Sequence, residues 1–142
     1  YKEIRSEKSH LETKFIQFRN VDDEKEKLDG VIKELKAQNG VSSDDIVIIS
    51  PKSRSNSVAN LYTTAAVKSL SIPKEKGIIF STIYSFKGLE SPVVIMVDID
   101  SYKNSQFQNN ESLIYVGASR AKAKLYILET YGAAKERIGG VG

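Results

Sequence analysis

Two stretches of this sequence limit what the chain can fold into more than any others: "DIVIIS" at 45–50 and "PVVIMVD" at 92–98. Each is an apolar run rich in β-branched residues, with no alternation of polar positions. A strand with one wet face alternates apolar and polar residues. A run that is apolar throughout needs cover on both faces, as in a parallel sheet packed between helices. Pro51 ends the first run, and Asp98 and Asp100 end the second. "KFIQF" at 14–18, "GIIFSTI" at 77–83 and "KLYILET" at 124–130 supply three further strands.

Helical patterns separate them. Leu28, Val31, Ile32 and Leu35 fall at i, i+3, i+4 and i+7, one face of a helix. Asp22, Asp23 and Glu24 open it, where acidic groups complement the amino-terminal dipole, and Asn39-Gly40 closes it. Val58, Leu61, Tyr62, Ala65 and Ala66 predict a second helix, stopped by "SIP" at 71–73. A third begins near Glu111 in "NNESLIYVGASRAKA", and "AAKERI" is a short fourth, while "SYKNSQFQNN" at 101–110 reads as a loop. The order β-α-β-α-β-β-α-β-α predicts an α/β fold with a mostly parallel sheet. Loops that follow the strand ends form the usual ligand edge of such a sheet, so a site is expected there.

Composition narrows the function classes. At 142 residues, 40% hydrophobic and 27% charged, the chain suits one domain with a real core and excludes disorder. The absence of cysteine excludes a disulfide framework and thiolate metal ligation. The one histidine, His10, lies in a polar amino-terminal stretch, which excludes a His-rich site and leaves Ser-His-Asp catalysis without support. A net charge of +3 permits nucleic-acid contact without arguing for it. No apolar run approaches a membrane span and no secretory pattern appears, so the expectation is a cytoplasmic protein without a membrane partner. The chain begins with Tyr1, and its only methionine, Met96, sits inside an apolar run. It therefore reads as a piece of a longer protein.

A nucleotide site on an α/β domain usually carries a phosphate loop, G-x-x-x-x-G-K-[ST]. None of the nine glycines stands in that pattern, nor in G-x-G-x-x-G. Asp98 and Asp100 end an apolar strand as magnesium-holding residues do. With no phosphate loop beside them, no metal role is assigned here, and the plain reading is a strand end meeting solvent.

Two segments carry chemistry beyond what folding requires. In "FSTIYSFKGLE", at 80–90, Thr82 nears the end of a strand, and Gly88 would let the backbone approach a ligand closely. Lys87 and Glu90 bring opposite charges to this ligand edge. Such a loop could offer amides and hydroxyls to phosphate and a carboxylate to a sugar; a solvated turn with an ion pair explains the same residues. In "SLIYVGASRAKAKLYIL", residues 113–121 placed on a helix put Leu113, Ile114, Val116, Gly117, Ala118 and Ala121 on one apolar arc. Arg120 is i+3 from Gly117, i+4 from Val116 and i+7 from Leu113, so it falls inside that arc. Tyr115, Ser119 and Lys122 take the other face. An arginine in an apolar arc needs a partner or must reach past the core edge. A structural ion pair, a snorkelling side chain, or an anion such as phosphate would each serve.

Together the segments resemble two motifs of superfamily 1 helicases of the UvrD/Rep type. "TIYSFKGLE" is similar to motif V, T-x-H-x-x-K-G-L-E, and "LIYVGASRA" to motif VI, Y-V-A/G-x-T/S-R-A. The resemblance spans about residues 14–130 of a single domain, 1–142. It implies the carboxy-terminal RecA-like motor domain of the P-loop NTPase type, three-layered and lacking its own phosphate loop. The amino-terminal motor domain would supply that loop and the Mg2+ ligands, with ATP bound between the two. On this resemblance Arg120 is the catalytic arginine finger reaching the γ-phosphate, and Lys87, Gly88 and Glu90 also line ATP. Thr82, Tyr84 and Ser85 touch single-stranded DNA, with RNA the other candidate strand.

Three departures stand out. Tyr84 replaces the motif V histidine. The motif IV strand is followed by Ser50-Pro51 in place of Tyr-Arg, with Lys52 and Arg54 nearby as substitute cations. The gap before "GIIFSTI" has room for one helix and no inserted subdomain. The competing reading is a non-catalytic helicase-like module that binds nucleic acid or a protein. A self-contained small-molecule enzyme lacks any visible acid–base or nucleophile–base pair.

Overall fold

The computed structural model describes residues 12–37, 40–61, 67–69, 77–83, 85, 90–102 and 113–139. Its strands are β1 (Glu12–Phe18), β2 (Ile46–Ser50), β3 (Val67–Ser69), β4 (Ile78–Thr82), β5 (Ser91–Ile99) and β6 (Ala121–Thr130); its helices are α1 (Val21–Ala37), α2 (Leu113–Arg120) and α3 (Tyr131–Gly139). The strands form one six-stranded sheet in the order β1-β6-β5-β2-β4-β3. Every pairing is parallel.

The unbroken apolar runs behave as their composition requires. All five residues of β2 are buried. Ile46 and Ile48 point into one core, with Val93, Ile95 and Val97 of β5 and with Leu28, Val31 and Leu35 of α1. Val47 and Ile49 point the other way, with Val94, Met96, Leu125 and Ile127, and Ala133 of α3 joins them. The sheet is thus covered on both faces, giving three layers.

Helix α1 opens on an Asn20 cap, whose Oδ1 accepts from the Asp23 amide at 2.9 Å. Helix α3 is tied to the sheet through Glu129, whose side chain is fully buried. Gln17, Tyr102 and Arg137 all donate to its carboxylate, Arg137 through both Nε and Nη2. Burial alone would raise the Glu129 pKa, but these bonds hold it below its ordinary value.

Two expectations are corrected. Residues 58–66 were expected to be helical; Val58–Leu61 form a short 3-10 turn, and 62–66 lie outside the described residues. Val67–Ser69, expected at the end of that helix, pair with Ile78–Phe80 as an edge strand. Three residues held on one side by a neighbouring strand leave almost no periodic trace in a sequence.

Helix α2 packs where a side chain would not fit. A Cβ at Gly117 would lie 2.2 Å from Met96 Sδ and 3.3 Å from Leu125 Cδ1. Met96 is fully buried and its sulfur is mid-chain, so it cannot simply swing aside. Gly117→Ala should therefore destabilise the domain by about 1–3 kcal/mol, despite alanine's better helix propensity. Urea unfolding of wild type and variant measures the difference, and an unchanged midpoint would contradict the close seat.

Candidate functional site

Because all strands run in one direction, the sheet has a start edge and a finish edge. Arg120 is the last residue of α2, and Ala121 begins β6 directly. Glu90 immediately precedes β5, and Ser91 is in register with Ala121. Arg120 and Glu90 therefore flank the starts of two neighbouring strands. This corrects the expectation that Glu90 lies with the loops after the strand ends. A crossover must bring the chain back to where the next parallel strand starts, so the last residue before a strand lies at the start edge. Thr82 closes β4 at the finish edge, so Thr82 and Glu90 lie at opposite edges of the sheet.

Arg120 is half-buried. Its Nη1 donates to Ser119 Oγ at 2.7 Å. Its Nε is buried with no hydrogen-bond partner, the one such side-chain atom among the described residues. No salt bridge to Arg120 occurs among the described residues. The apolar arc holds for Gly117, which is buried, and for Ala118, which packs against the core. Ala121 is buried too, but as the first residue of β6 rather than of the helix. Side chains at 113–116 lie outside the description.

At the finish edge, Thr82 Oγ1 accepts from the Ser85 amide at 3.1 Å and lies 3.1 Å from the Ser85 hydroxyl. This local turn holds both hydroxyls together, with Ser85 exposed. Tyr84, Lys87 and Gly88 lie outside the described residues. Glu90 is exposed.

The finish edge also holds a buried polar centre that the sequence reading missed. Asp98, read as a strand end meeting solvent, is only 5% exposed. Its carboxylate accepts from Ser50 Oγ at 2.6 Å, from Ser57 Oγ, and from the Val58 amide at 3.0 Å. Its own amide donates to Glu24 Oε2 at 2.6 Å. Asp98 sits at φ 63°, in the left-handed region. There β5 carries an extra residue relative to β6: Met96 pairs with Ile127 and Ile99 with Glu129. This bulge returns Ile99 to the same core as Met96 and turns Asp98 toward Glu24. Burial, then the Asp98 charge, push the Glu24 carboxyl up to about 8. The signal available in the sequence was an acidic residue interrupting an apolar run, "VDID"; the bulge itself left none.

The substitute motif IV cations are also at this edge. Lys52 Nζ is 3.4 Å from Asp100. Arg54 Nε donates to the Ala59 carbonyl, and its guanidinium lies 5.7 Å from the Phe80 ring centre. Following β2, both are at the opposite edge from Arg120, so neither joins it as a second cation in this arrangement.

Comparisons with known proteins agree with this architecture. Residues 77–128 match the family model of the UvrD-like helicase C-terminal domain. The chain also superposes, with a TM-score of 0.58 and 18% identity, on the C-terminal domain of a possible DNA helicase from Lactobacillus plantarum WCFS1. The match covers 83% of this chain and 73% of that one, and at this identity it speaks to the fold. A search of curated proteins finds no match.

Proposed function

We propose that this chain, whose residues 77–128 match the model of the UvrD-like helicase C-terminal domain, is the second motor domain of an ATP-dependent DNA helicase or translocase. The observation that carries the reading is Arg120, a half-buried arginine whose Nε has no acceptor, beside Glu90 where two strands start. A phosphate oxygen would supply the acceptor that Nε lacks, which supports an anion held by Arg120. Arg120 would hold the terminal phosphate of ATP and Glu90 a sugar hydroxyl; Lys87 and Gly88 are assigned to the same site by the motif V resemblance alone. The facing wall, with the phosphate loop and Mg2+ ligands, belongs to an amino-terminal motor domain.

The mechanism we propose couples two edges of the sheet. Thr82 and Ser85 would offer hydroxyls to a single strand at the finish edge, with Tyr84 assigned there by the motif V resemblance, while Glu90 would serve the nucleotide at the start edge. The short segment that joins them in sequence would link the two events. ATP bridging two domains favours their closed arrangement only through contacts absent from the open one. Arg120 is such a contact, and losing the terminal phosphate removes it. Binding along a sugar–phosphate backbone should be tolerant of sequence and weaken with salt.

The intact parent protein should hydrolyse ATP with stimulation by single-stranded DNA. The isolated 142-residue domain should give no turnover above the buffer rate, since half of the site is elsewhere. Steady-state phosphate release on both preparations tests this. Turnover by the isolated domain, or none by the parent, would contradict the motor reading.

A further inference from the structure

Arg120 is held from three sides. Its backbone is pinned behind by Gly117, one turn earlier and seated against Met96, and ahead by Ala121, buried and paired with Ser91. Only the side chain keeps freedom. Its one hydrogen bond among the described residues joins Nη1 to the neighbouring Ser119 hydroxyl, at 2.7 Å.

We infer that Ser119 is the positioning residue for the Arg120 guanidinium, fixing the plane in which it would meet the nucleotide. This rests on the arginine-finger reading above. The guanidinium is planar, and Nη1 lies on the side of Cδ. Nε–H and Nη2 together form the other edge, the fork that matches two phosphate oxygens. Ser119 engages Nη1 and leaves the edge bearing the unpartnered Nε. The chemistry of the tether matters as much as its position. A carboxylate here would neutralise the guanidinium and compete with phosphate. A hydroxyl fixes the plane through a weak neutral acceptor and leaves the positive charge intact for the anion.

The test uses the intact parent protein and three variants, Ser119→Ala, Ser119→Thr and Arg120→Ala, with kcat, KM and thermal midpoint measured for each. Ser119→Ala should lower kcat about tenfold, the scale of one lost hydrogen bond, with KM and midpoint unchanged. Ser119→Thr, which keeps the hydroxyl, should return to within about twofold of wild type on the same scale. Normal kcat in Ser119→Ala alongside a crippled Arg120→Ala would overturn the positioning role alone. Equal losses in the alanine and threonine variants, or a loss that follows a lowered midpoint, would overturn it too. Normal turnover in Arg120→Ala would instead remove the nucleotide reading beneath it.

Discussion

Arg120→Ala in the intact protein should cut ATP turnover by about a thousandfold, the scale of arginine fingers generally, while nucleotide affinity changes by only a few-fold. The asymmetry has a physical origin. In the domain alone, Arg120 Nε is buried without a partner, and an unsatisfied buried donor costs about 1–3 kcal/mol. On the proposed function the domain bears this cost before any nucleotide arrives, and the donor would already be desolvated when charge builds on the transferring phosphoryl group. A thousandfold loss corresponds to about 4 kcal/mol of transition-state stabilisation, within reach of a charged, preorganised donor in a closed cleft.

The same orphaned donor makes a second, opposite prediction for stability. Alanine removes the unsatisfied group, so the thermal midpoint of the variant should hold or rise slightly. Arg120→Lys separates charge from shape: it keeps the cation and loses the fork, so its kcat should remain well below wild type. Single-turnover hydrolysis and nucleotide titration on the parent protein distinguish these effects. Near-normal turnover in the alanine variant would sink the assignment.

The sheet could be read from the sequence because burial on both faces leaves a continuous signature. "DIVIIS" and "PVVIMVD" allow no other placement, and both became central strands. Helix α1 was legible for the related reason that its apolar stripe follows one period through Leu28, Val31 and Leu35, all buried. The arc arithmetic around Arg120 is met only at Gly117 and Ala118, since the side chains of 113–116 lie outside the described residues. What escaped depends on backbone features with no periodic trace. The edge strand β3 is three residues long. The bulge at Asp98 inserts one residue in a left-handed conformation that ordinarily favours glycine, so "VDID" read as a solvated end. The edge at which Glu90 lies is not given by the rule about loops after strand ends, because Glu90 precedes a strand.

Glu24 leads to the second large effect. Its side chain is 2% exposed, its Oε2 accepts the Asp98 amide, and burial together with Asp98 pushes its pKa from 4.5 to about 8. Lys52 opposes the shift more weakly. Across that interval the folded domain holds a proton that the unfolded chain has released. Stability from this group is therefore fully present below about pH 4.5, falls through the window, and is gone above about pH 8. The slope for one proton is about 1.4 kcal/mol per pH unit, so the full window is worth several kcal/mol, a large share of the roughly 5–15 kcal/mol available to a domain. Glu24→Gln isolates the effect, because the amide carbonyl can still accept the Asp98 amide but cannot ionise. Unfolding free energies measured between pH 5 and 8.5 should decline more steeply for wild type than for Glu24→Gln, by nearly one proton's slope. Parallel curves would mean that Glu24 is ionised in the folded domain throughout. The bulge at Asp98, which anchors Ser50, Ser57 and Val58 to β5, would then be holding two charged carboxylates side by side.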